Sequence, residues 1–398
     1  MSQVSLHQVS KFYRDEKGRA QTAAAALRDL SLEVAERELL VVTGSPGSGK
    51  TTLLRLIAGL ETPTQGDIAI GGRTVNEVPP REREVALVFK HHALYPHLSV
   101  AGNLAFALTA RKYPKAEIQK RVGQAATLLG IEKILERKPA ELSAAQSVRI
   151  ALGRAIVRQP KVFLFDDPLA GLDAAARGLM RTEIGRLHQR LQTTWVYVTR
   201  DPAEAMTLGQ RVGVLDGGTM QQLDAPLKIY HEPANQFVAG FLGSPPMNFV
   251  RGKLSAVEGG GLVFKETDGA LAGRFPDGEA SAAFQKFAGK EVILGVRPED
   301  IAPLPPATTP IAPAKGGKNA ASDGSFQAVV EQVETSGAEI IFHLRTGDDD
   351  RAPAILCRSP ASLLAPDEAR AGGGHRRRFQ INAARAHLFD PATSQRIA

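Results

Sequence analysis

Cysteine is almost missing: Cys357 is the single one in 398 residues. No disulfide can therefore close within the chain, and the composition fits a reducing compartment. A lone cysteine in a strand-like run reads as a small, half-buried apolar residue, not a reactive thiol. There is also no continuous apolar run of membrane-spanning length, although 43% of the residues are apolar, and this predicts a soluble protein. No charged segment followed by an apolar one opens the chain, so nothing points to export. Aromatics are sparse at 6%, and no basic stripe is studded with them, which argues against nucleic acid as a partner. A net charge of +7 suits nucleic acid, phosphate ligands or an anionic membrane face and decides among none of them. The charges are dispersed except at His375, Arg376, Arg377 and Arg378, a run expected to form a solvated turn.

What the chain does have is a glycine-rich loop behind an apolar run. Residues 41–52 read V-V-T-G-S-P-G-S-G-K-T-T and lead into L-L-R-L-I-A, which fits G-x-x-x-x-G-K-[ST], the phosphate-binding P-loop between a strand and a helix. Gly44, Gly47 and Gly49 let successive N–H groups converge on phosphate oxygens, and the helix that follows points its positive end at the same place. In such loops Lys50 reaches the outer phosphates and the Thr51 hydroxyl is a ligand of Mg²⁺. Gly44, Ser45, Pro46, Gly47, Ser48, Gly49, Lys50, Thr51 and Thr52 are the expected nucleotide cradle.

Along the chain, residues 3–10 and 30–43 pattern as strands around a polar, alanine-rich excursion at 15–26. Phe12 and Tyr13 are expected in the turn after the first strand, where a ring can stack on a purine, pack in the core or stand at the solvent edge. Residues 59–67 form a turn cluster, and 68–72 a short strand. The run V-A-L-V-F at 85–89 is a buried-looking strand that delivers Lys90 at its end. Residues 101 to about 158 carry Ala, Leu, Lys and Arg at helical spacing, a helical subdomain inserted in an α/β core and broken at Tyr113 and Pro114. V-F-L-F-D-D at 162–167 has the form of a Walker B strand. There Asp166 is expected to hold Mg²⁺, and Asp167 to orient or deprotonate the attacking water. A turn through Asp173, a helix at 174–190 and a strand at 195–199 follow, with Arg200 at the strand's end.

Five segments in order carry a family resemblance: G-S-P-G-S-G-K-T at 44–51, F-K-H-H-A-L-Y-P-H at 89–97, L-S-A-A-Q at 142–146, F-L-F-D-D-P-L-A-G-L-D at 163–173 and Y-V-T-R-D-P-A-E-A-M-T-L at 197–208. The chain resembles the ABC-transporter ATPases, and more narrowly the sugar and glycerol-phosphate importer ATPases of the maltose-transport type. Residues 237–249 are similar to the inter-domain segment of that subfamily, and G-V-R-P-E-D-I at 295–301 to a motif of its regulatory domain. The resemblance implies an α/β P-loop ATPase core with an inserted helical subdomain (residues 1–240, the subdomain about 91–158), followed by an all-β, OB-like (TOBE-type) regulatory domain (245–398). It implies ATP and Mg²⁺ as cofactors, and pairing with a second copy or with another ABC ATPase. In such a pair Ser143, Ala144, Ala145 and Gln146 of one chain face the nucleotide of the other, and Asp173 and Tyr13 join the nucleotide contacts. It also implies membrane permease subunits docked near Leu94, Tyr95 and Pro96, an extracytoplasmic solute-binding protein as an indirect partner, and a peripheral place on the cytoplasmic face of the membrane.

Four sites depart from the family pattern. Lys90 stands for a glutamine that touches Mg²⁺ and the water, Asp167 for a glutamate, Ala144 and Ala145 for two glycines, and Arg200 for the switch histidine. A base misplaced by ~1 Å can cost on the order of 100-fold in rate. Two methyl groups hold off a helix terminus that must approach the γ-phosphate. Arginine cannot act as a neutral hydrogen-bond acceptor. ATP binding with slow or partner-dependent hydrolysis is therefore expected. A regulatory pseudo-ATPase is the alternative, and a nucleic-acid-associated ABC protein is disfavoured because such chains pair two ATPase modules and this one holds a single P-loop.

Past residue 245 short alternating segments at 262–264, 291–296, 327–333, 339–344 and 386–389 predict small β-barrels. Five prolines and a K-G-G-K-N-A-A run make 302–324 an expected flexible loop.

Overall fold

The computed structural model of the chain describes residues 3–14, 20–256, 261–267, 269, 271–275, 284–305, 325–347, 354–363 and 374–397. They divide into two compact units, Met1–His231 and Glu232–Ala398.

In the first unit β1 (Val4–Arg14) pairs antiparallel with β2 (Ala20–Val34). Then come β3 (Leu39–Gly44), α1 (Lys50–Ala58), β4 (Gln65–Ile70), β5 (Arg73–Thr74) and β6 (Val85–Val88). The helical stretch resolves into α2 (Val100–Ala110), α3 (Lys115–Leu129) and α4 (Ala144–Ile156), with Pro114 capping the start of α3. The core resumes with β7 (Val162–Asp166), α5 (Ala174–Leu191), β8 (Thr194–Val198), α6 (Pro202–Leu208), β9 (Arg211–Asp216), β10 (Thr219–Asp224) and α7 (Pro226–His231). One sheet runs β2-β1-β4-β5 and the other β10-β9-β3-β8-β7-β6. In the second, β9, β3, β8, β7 and β6 are mutually parallel. Buried parallel strands need apolar cover on both faces. Val162, Leu164, Val196 and Val198 turn to one face, where they meet Leu53, Leu54 and Ile57 of α1. Alternate residues Phe163, Phe165 and Trp195 form an aromatic layer on the other, Phe165 and Trp195 with centroids 4.7 Å apart, and His188 of α5 edges onto Trp195 at 5.2 Å.

The second unit carries α8 (Gln236–Phe241), then β11 (Asn248–Ala256), β12 (Leu262–Glu266), β13 (Ala272–Phe275), β14 (Glu291–Val296), β15 (Ile301–Pro303), β16 (Ser325–Ser336), β17 (Glu339–Arg345), β18 (Ile355–Pro360), β19 (His375–Ile381), β20 (His387–Phe389) and β21 (Arg396–Ile397). Its two antiparallel sheets, β13-β12-β11-β14-β20-β21 and β15-β19-β16-β17-β18, close on one core with Phe264, Leu294, Phe342 and Phe379 at its centre.

Three expectations are corrected. Phe12 and Tyr13 lie inside β1, not in a turn, because the strand continues through several register shifts against β2. Arg376, Arg377 and Arg378 do not form a solvated turn but lie in β19, paired with β16. Alternation explains it: Arg377 points inward with its guanidinium 5.5 Å from the Phe342 ring, its aliphatic stem serving as apolar cover, while Arg378 bonds the Ser325 hydroxyl at 2.7 Å. The excursion at 15–26 is β2 from Ala20 onward, and residues 15–19 lie outside the described ones. Of the proline-rich stretch, residues 301–303 form β15, and 306–324 also lie outside them.

One buried arginine holds α1 in place. Arg83, 4% exposed, donates to Leu56 O at 2.8 Å and Ile57 O at 3.2 Å, carbonyls of the last helical turn, and to Val78 O at 2.8 Å. Burial alone pulls its pKa below the usual arginine value. Arg83→Met strands those acceptors, and chemical denaturation should show a loss of about 1–3 kcal/mol as a lower midpoint at unchanged slope.

Candidate functional site

Parallel strands place their C-terminal ends on one edge, where ligands of open α/β sheets bind. In spatial order that edge presents Asp216 after β9, the 44–52 loop after β3, Arg200 after β8, Asp166 and Asp167 at the end of β7, and Lys90 after β6. Residues as far apart in sequence as Ser45 and Asp216, 171 positions, are thus brought to one line by backbone pairing such as Gly44 with Leu215, Val42 with Val198 and Asp166 with Val198.

The loop itself has the geometry of an anion nest. Gly44, Gly47 and Gly49 have φ of 143°, 78° and 99°. At Gly49 a Cβ would stand 2.1 Å from Ala26 O, whereas at Gly47 nothing lies within 4 Å, which leaves the loop open on its outer side. α1 starts without a side-chain cap, so its first N–H groups face that opening with no intrahelical acceptor. Lys50, 6% exposed, donates to Gly44 O at 2.9 Å, Ser45 O at 2.7 Å and the Ser48 hydroxyl at 2.9 Å. Burial first, and then the Arg200 guanidinium, lower its pKa to about 8, against the pull of Asp167, Asp166 and Asp216, so it remains a cation at neutral pH. Pro46 is exposed at the loop's turn. Tyr13 reaches the loop's far end: its hydroxyl lies 3.4 Å from that of Thr52, and Lys11 covers its ring at 5.2 Å.

The donor set fits a hard divalent cation that arrives with its substrate. The Thr51 hydroxyl donates to the Asp166 carboxylate at 3.0 Å, two oxygen ligands already side by side. Among the described residues no group of three or more His, Cys, Asp or Glu could hold a metal unaided. Bound there, Mg²⁺ would neutralise charge on the phosphates.

Lys90 reaches across to the carboxylate that follows. Its ammonium is 3.5 Å from Asp167 Oδ2. Asp167 has φ 50°, unusual for a residue other than glycine, and its N–H bonds Val198 O at 2.8 Å. The segment after Lys90 is tied to the same turn, with His92 Nε2 2.9 Å from Pro168 O. Arg154 of α4 donates to His92 O and Ala93 O and stacks on Tyr95 at 4.7 Å, and Asn103 brackets Tyr95 N and O at 2.8 and 3.1 Å. Leu94 and Tyr95 are half-buried and Pro96 is exposed.

Ser143, Ala144, Ala145 and Gln146 head α4, an element outside the sheet edge. Ser143 caps it, accepting from Gln146 N at 3.3 Å while Gln146 Oε1 accepts from Ser143 N at 2.9 Å. Ala144 and Ala145 have ordinary right-handed helical backbone. Glycine is therefore not required there for conformation, and only the space its absent methyl leaves distinguishes it. Asp173 caps α5 through Ala176 N at 2.8 Å. Arg177 joins the turn before it to the segment after Arg200, donating to Leu172 O at 3.0 Å and Asp201 at 3.2 Å.

Asp216 escaped the sequence reading. It accepts a hydrogen bond from the Ser45 hydroxyl and lies close enough to act on Lys50. A signal existed, since R-V-G-V-L-D ends an apolar strand in a carboxylate just as 162–166 does. His92, Arg154 and Arg177 were missed too, and no spacing in the sequence announces their carbonyl partners.

A phosphate nest, a helix N-terminus and a hydroxyl–carboxylate pair on a parallel-sheet edge define a P-loop nucleotide site. Comparison with known proteins gives the narrower class. The ABC transporter family matches residues 27–170, the MalK OB fold domain 243–301 and the TOBE domain 294–389. Over 100% of both chains, the sequence is 42% identical to the oligosaccharides import ATP-binding protein MsmX of Bacillus subtilis. It is 43% identical to the sn-glycerol-3-phosphate import ATP-binding protein UgpC of Burkholderia thailandensis, covering 100% of this chain and 99% of that one. A dimeric, post-hydrolysis ATP-binding cassette MJ0796 bound to ADP and Pi matches with TM-score 0.50 and 28% identity, covering 56% of this chain and 98% of that one. The chain belongs to the ABC-transporter ATPases, in the group of sugar-importer ATP-binding subunits, with the P-loop domain followed by the OB and TOBE β-domain.

Lys50→Ala removes the one buried cation inside the nest. Calorimetric titration with MgATP should show affinity weakened by roughly 10- to 100-fold, the worth of one hydrogen-bonded charge.

Proposed function

We propose that the chain is the ATP-binding motor subunit of a membrane ABC importer for a sugar or polyol-type solute, and that its hydrolysis of ATP is slow or dependent on a partner. The printed roles of MsmX and UgpC, oligosaccharide and sn-glycerol-3-phosphate import, support that solute class. The named solutes differ among relatives, consistent with specificity that resides in other subunits. Partners are the membrane permease subunits, a second copy or another ABC ATPase, and, indirectly, an extracytoplasmic solute-binding protein. The place is peripheral, on the cytoplasmic face of the membrane. Among the described residues no helix is long and apolar enough to cross a bilayer.

Binding rests on Gly44, Gly47, Gly49, Lys50, Thr51 and Asp166. Asp167 is the carboxylate in position to take or orient a water's proton, and the observation that carries the claim of slow hydrolysis is the ammonium of Lys90 at 3.5 Å from it. A carboxylate oxygen engaged by a cation is occupied and not open to accept a proton from water. Asp167 is also one methylene shorter than the glutamate of the family pattern. Lys90, Asp167 and Arg200 act on the nucleotide bound to their own chain, Ala144 and Ala145 on the partner's. Self-pairing then gives two sites with every alteration, and pairing with an unaltered subunit two sites with part of them each.

The same altered groups favour a second reading, a regulatory subunit that binds ATP and drives no permease. Co-purification with a permease eliminates it.

Steady-state ATPase assays compare the native chain with one carrying Lys90→Gln, Ala144→Gly, Ala145→Gly, Asp167→Glu and Arg200→His together. The restored chain should turn over on the order of 100-fold faster. Equal turnover would reject the impairment.

A further inference from the structure

Two cavities flank Leu128 of α3, away from the sheet edge. The first, of about 430 Å³, has walls from α3, α4 and α5, with Leu129, Leu179, Leu187, Arg186 and Arg190 in its lining. The second, of about 370 Å³, is lined by Phe163 of β7 and by Ala125, Ile156, Pro160 and Leu191. Leu128 lines both, so the two adjoin across one half-buried side chain. Each has the size of a small-ligand site, roughly 300–1,000 Å³.

The two ends differ in charge. In the first cavity the one carboxylate, Glu183, is taken by Arg149 through three contacts of 2.8 to 3.0 Å. Arg186 and Arg190, one helical turn apart on α5 and both exposed, have no side-chain hydrogen bond or ion pair among the described residues. Leu179, on the same face of α5, is 73% exposed. In the second cavity the one cation, Arg121, is held by Glu117 at 2.6 Å and lies over the Tyr113 ring at 4.9 Å. A small inorganic anion would leave the apolar lining wet, and a neutral ligand would leave two guanidiniums unpaired.

We propose that this groove binds a single-chain alkyl carboxylate, a fatty acid, with its head at Arg186 and Arg190 and its tail passing Leu128 toward Phe163. The planar guanidinium forks match a carboxylate, and the chain covers leucine and phenylalanine. One apolar branch takes one chain, which favours a free acid over a two-chain membrane lipid. With walls from α3 and α5, the groove lets its occupant tie the helical stretch to the core.

The test is calorimetric titration of the full chain with octanoate, decanoate and laurate, each below its micelle concentration, beside 1-dodecanol as the uncharged analogue. Binding should be saturable and tighten roughly three- to fourfold for each added methylene, and laurate should bind at least about tenfold more tightly than 1-dodecanol. Arg186→Ala with Arg190→Ala should weaken laurate by roughly 10- to 100-fold and erase that preference. Arg186→Lys with Arg190→Lys should keep most of it, which separates lost charge from lost folding. Leu128→Trp, which fills the junction, should leave octanoate unaffected and remove the gain from octanoate to laurate. Affinity that does not rise with chain length, or that is indifferent to the arginine pair, overturns the inference. So does flotation with phosphatidylglycerol vesicles by a chain that binds no free acid, which would assign the two cations to a membrane surface.

Discussion

The register of the parallel strands is the constraint from which the site follows. Gly44 beside Leu215, Val42 beside Val198, Val198 beside Asp166 and Phe165 beside Val88 set the strand ends level. A slip of one residue would exchange the two faces of a strand. That exchange is blocked because the faces differ: one buries aliphatic side chains against α1 and the other stacks Phe163, Phe165 and Trp195. Core packing therefore places the chemistry. Leu164 and Trp195 touch no nucleotide, yet their opposite orientations decide that Asp166 and Asp167 emerge where the loop after β3 opens.

The polar groups of the edge have partners within the chain. The Lys50 ammonium takes loop oxygens, the Thr51 hydroxyl takes Asp166, Ser45 takes Asp216, and Lys90 takes Asp167. Binding a triphosphate thus exchanges one set of polar contacts for another, and each exchange is worth far less than the bond formed in isolation. Affinity then depends on how unfavourable the resting arrangement is. Lys50 is desolvated and pushed by Arg200, so an anion arriving beside it offsets both. The Lys90–Asp167 contact works the other way. It is an opposite-charge pair 3.5 Å apart, already satisfied on its own, so it has less to gain from an arriving anion.

Local chemistry made the phosphate nest, the strand before it and the acidic end of β7 legible, because each is written in a few consecutive residues whose backbone requirements admit few alternatives. Asp216 was not, since its meaning arises from a partner 171 positions away, delivered by strand pairing that a linear reading cannot rank. The ties from His92 to Pro168 and from Arg177 to Leu172 run to backbone oxygens, which every residue carries and no motif marks. Tyr13 and Arg376–Arg378 were misplaced for a common reason. Charge and aromatic content suggested turns, while tertiary pairing with β2 and β16 held extended strands and let long side chains cover apolar surface with their stems.

Ala144 and Ala145 show how structure narrows an argument begun from sequence. An absent glycine can matter in two ways, through a backbone conformation lost or a close approach lost. Right-handed helical backbone at both positions, under a Ser143–Gln146 capping box, removes the first. Alanine even favours that helix by up to about 1 kcal/mol per position over glycine. The substitutions therefore strengthen the segment within its own chain, and their whole cost falls on whatever must come within a methyl radius of it. A methyl group that costs nothing until a second body docks would escape stability measurements on the isolated chain and would be read only by turnover in an assembled pair.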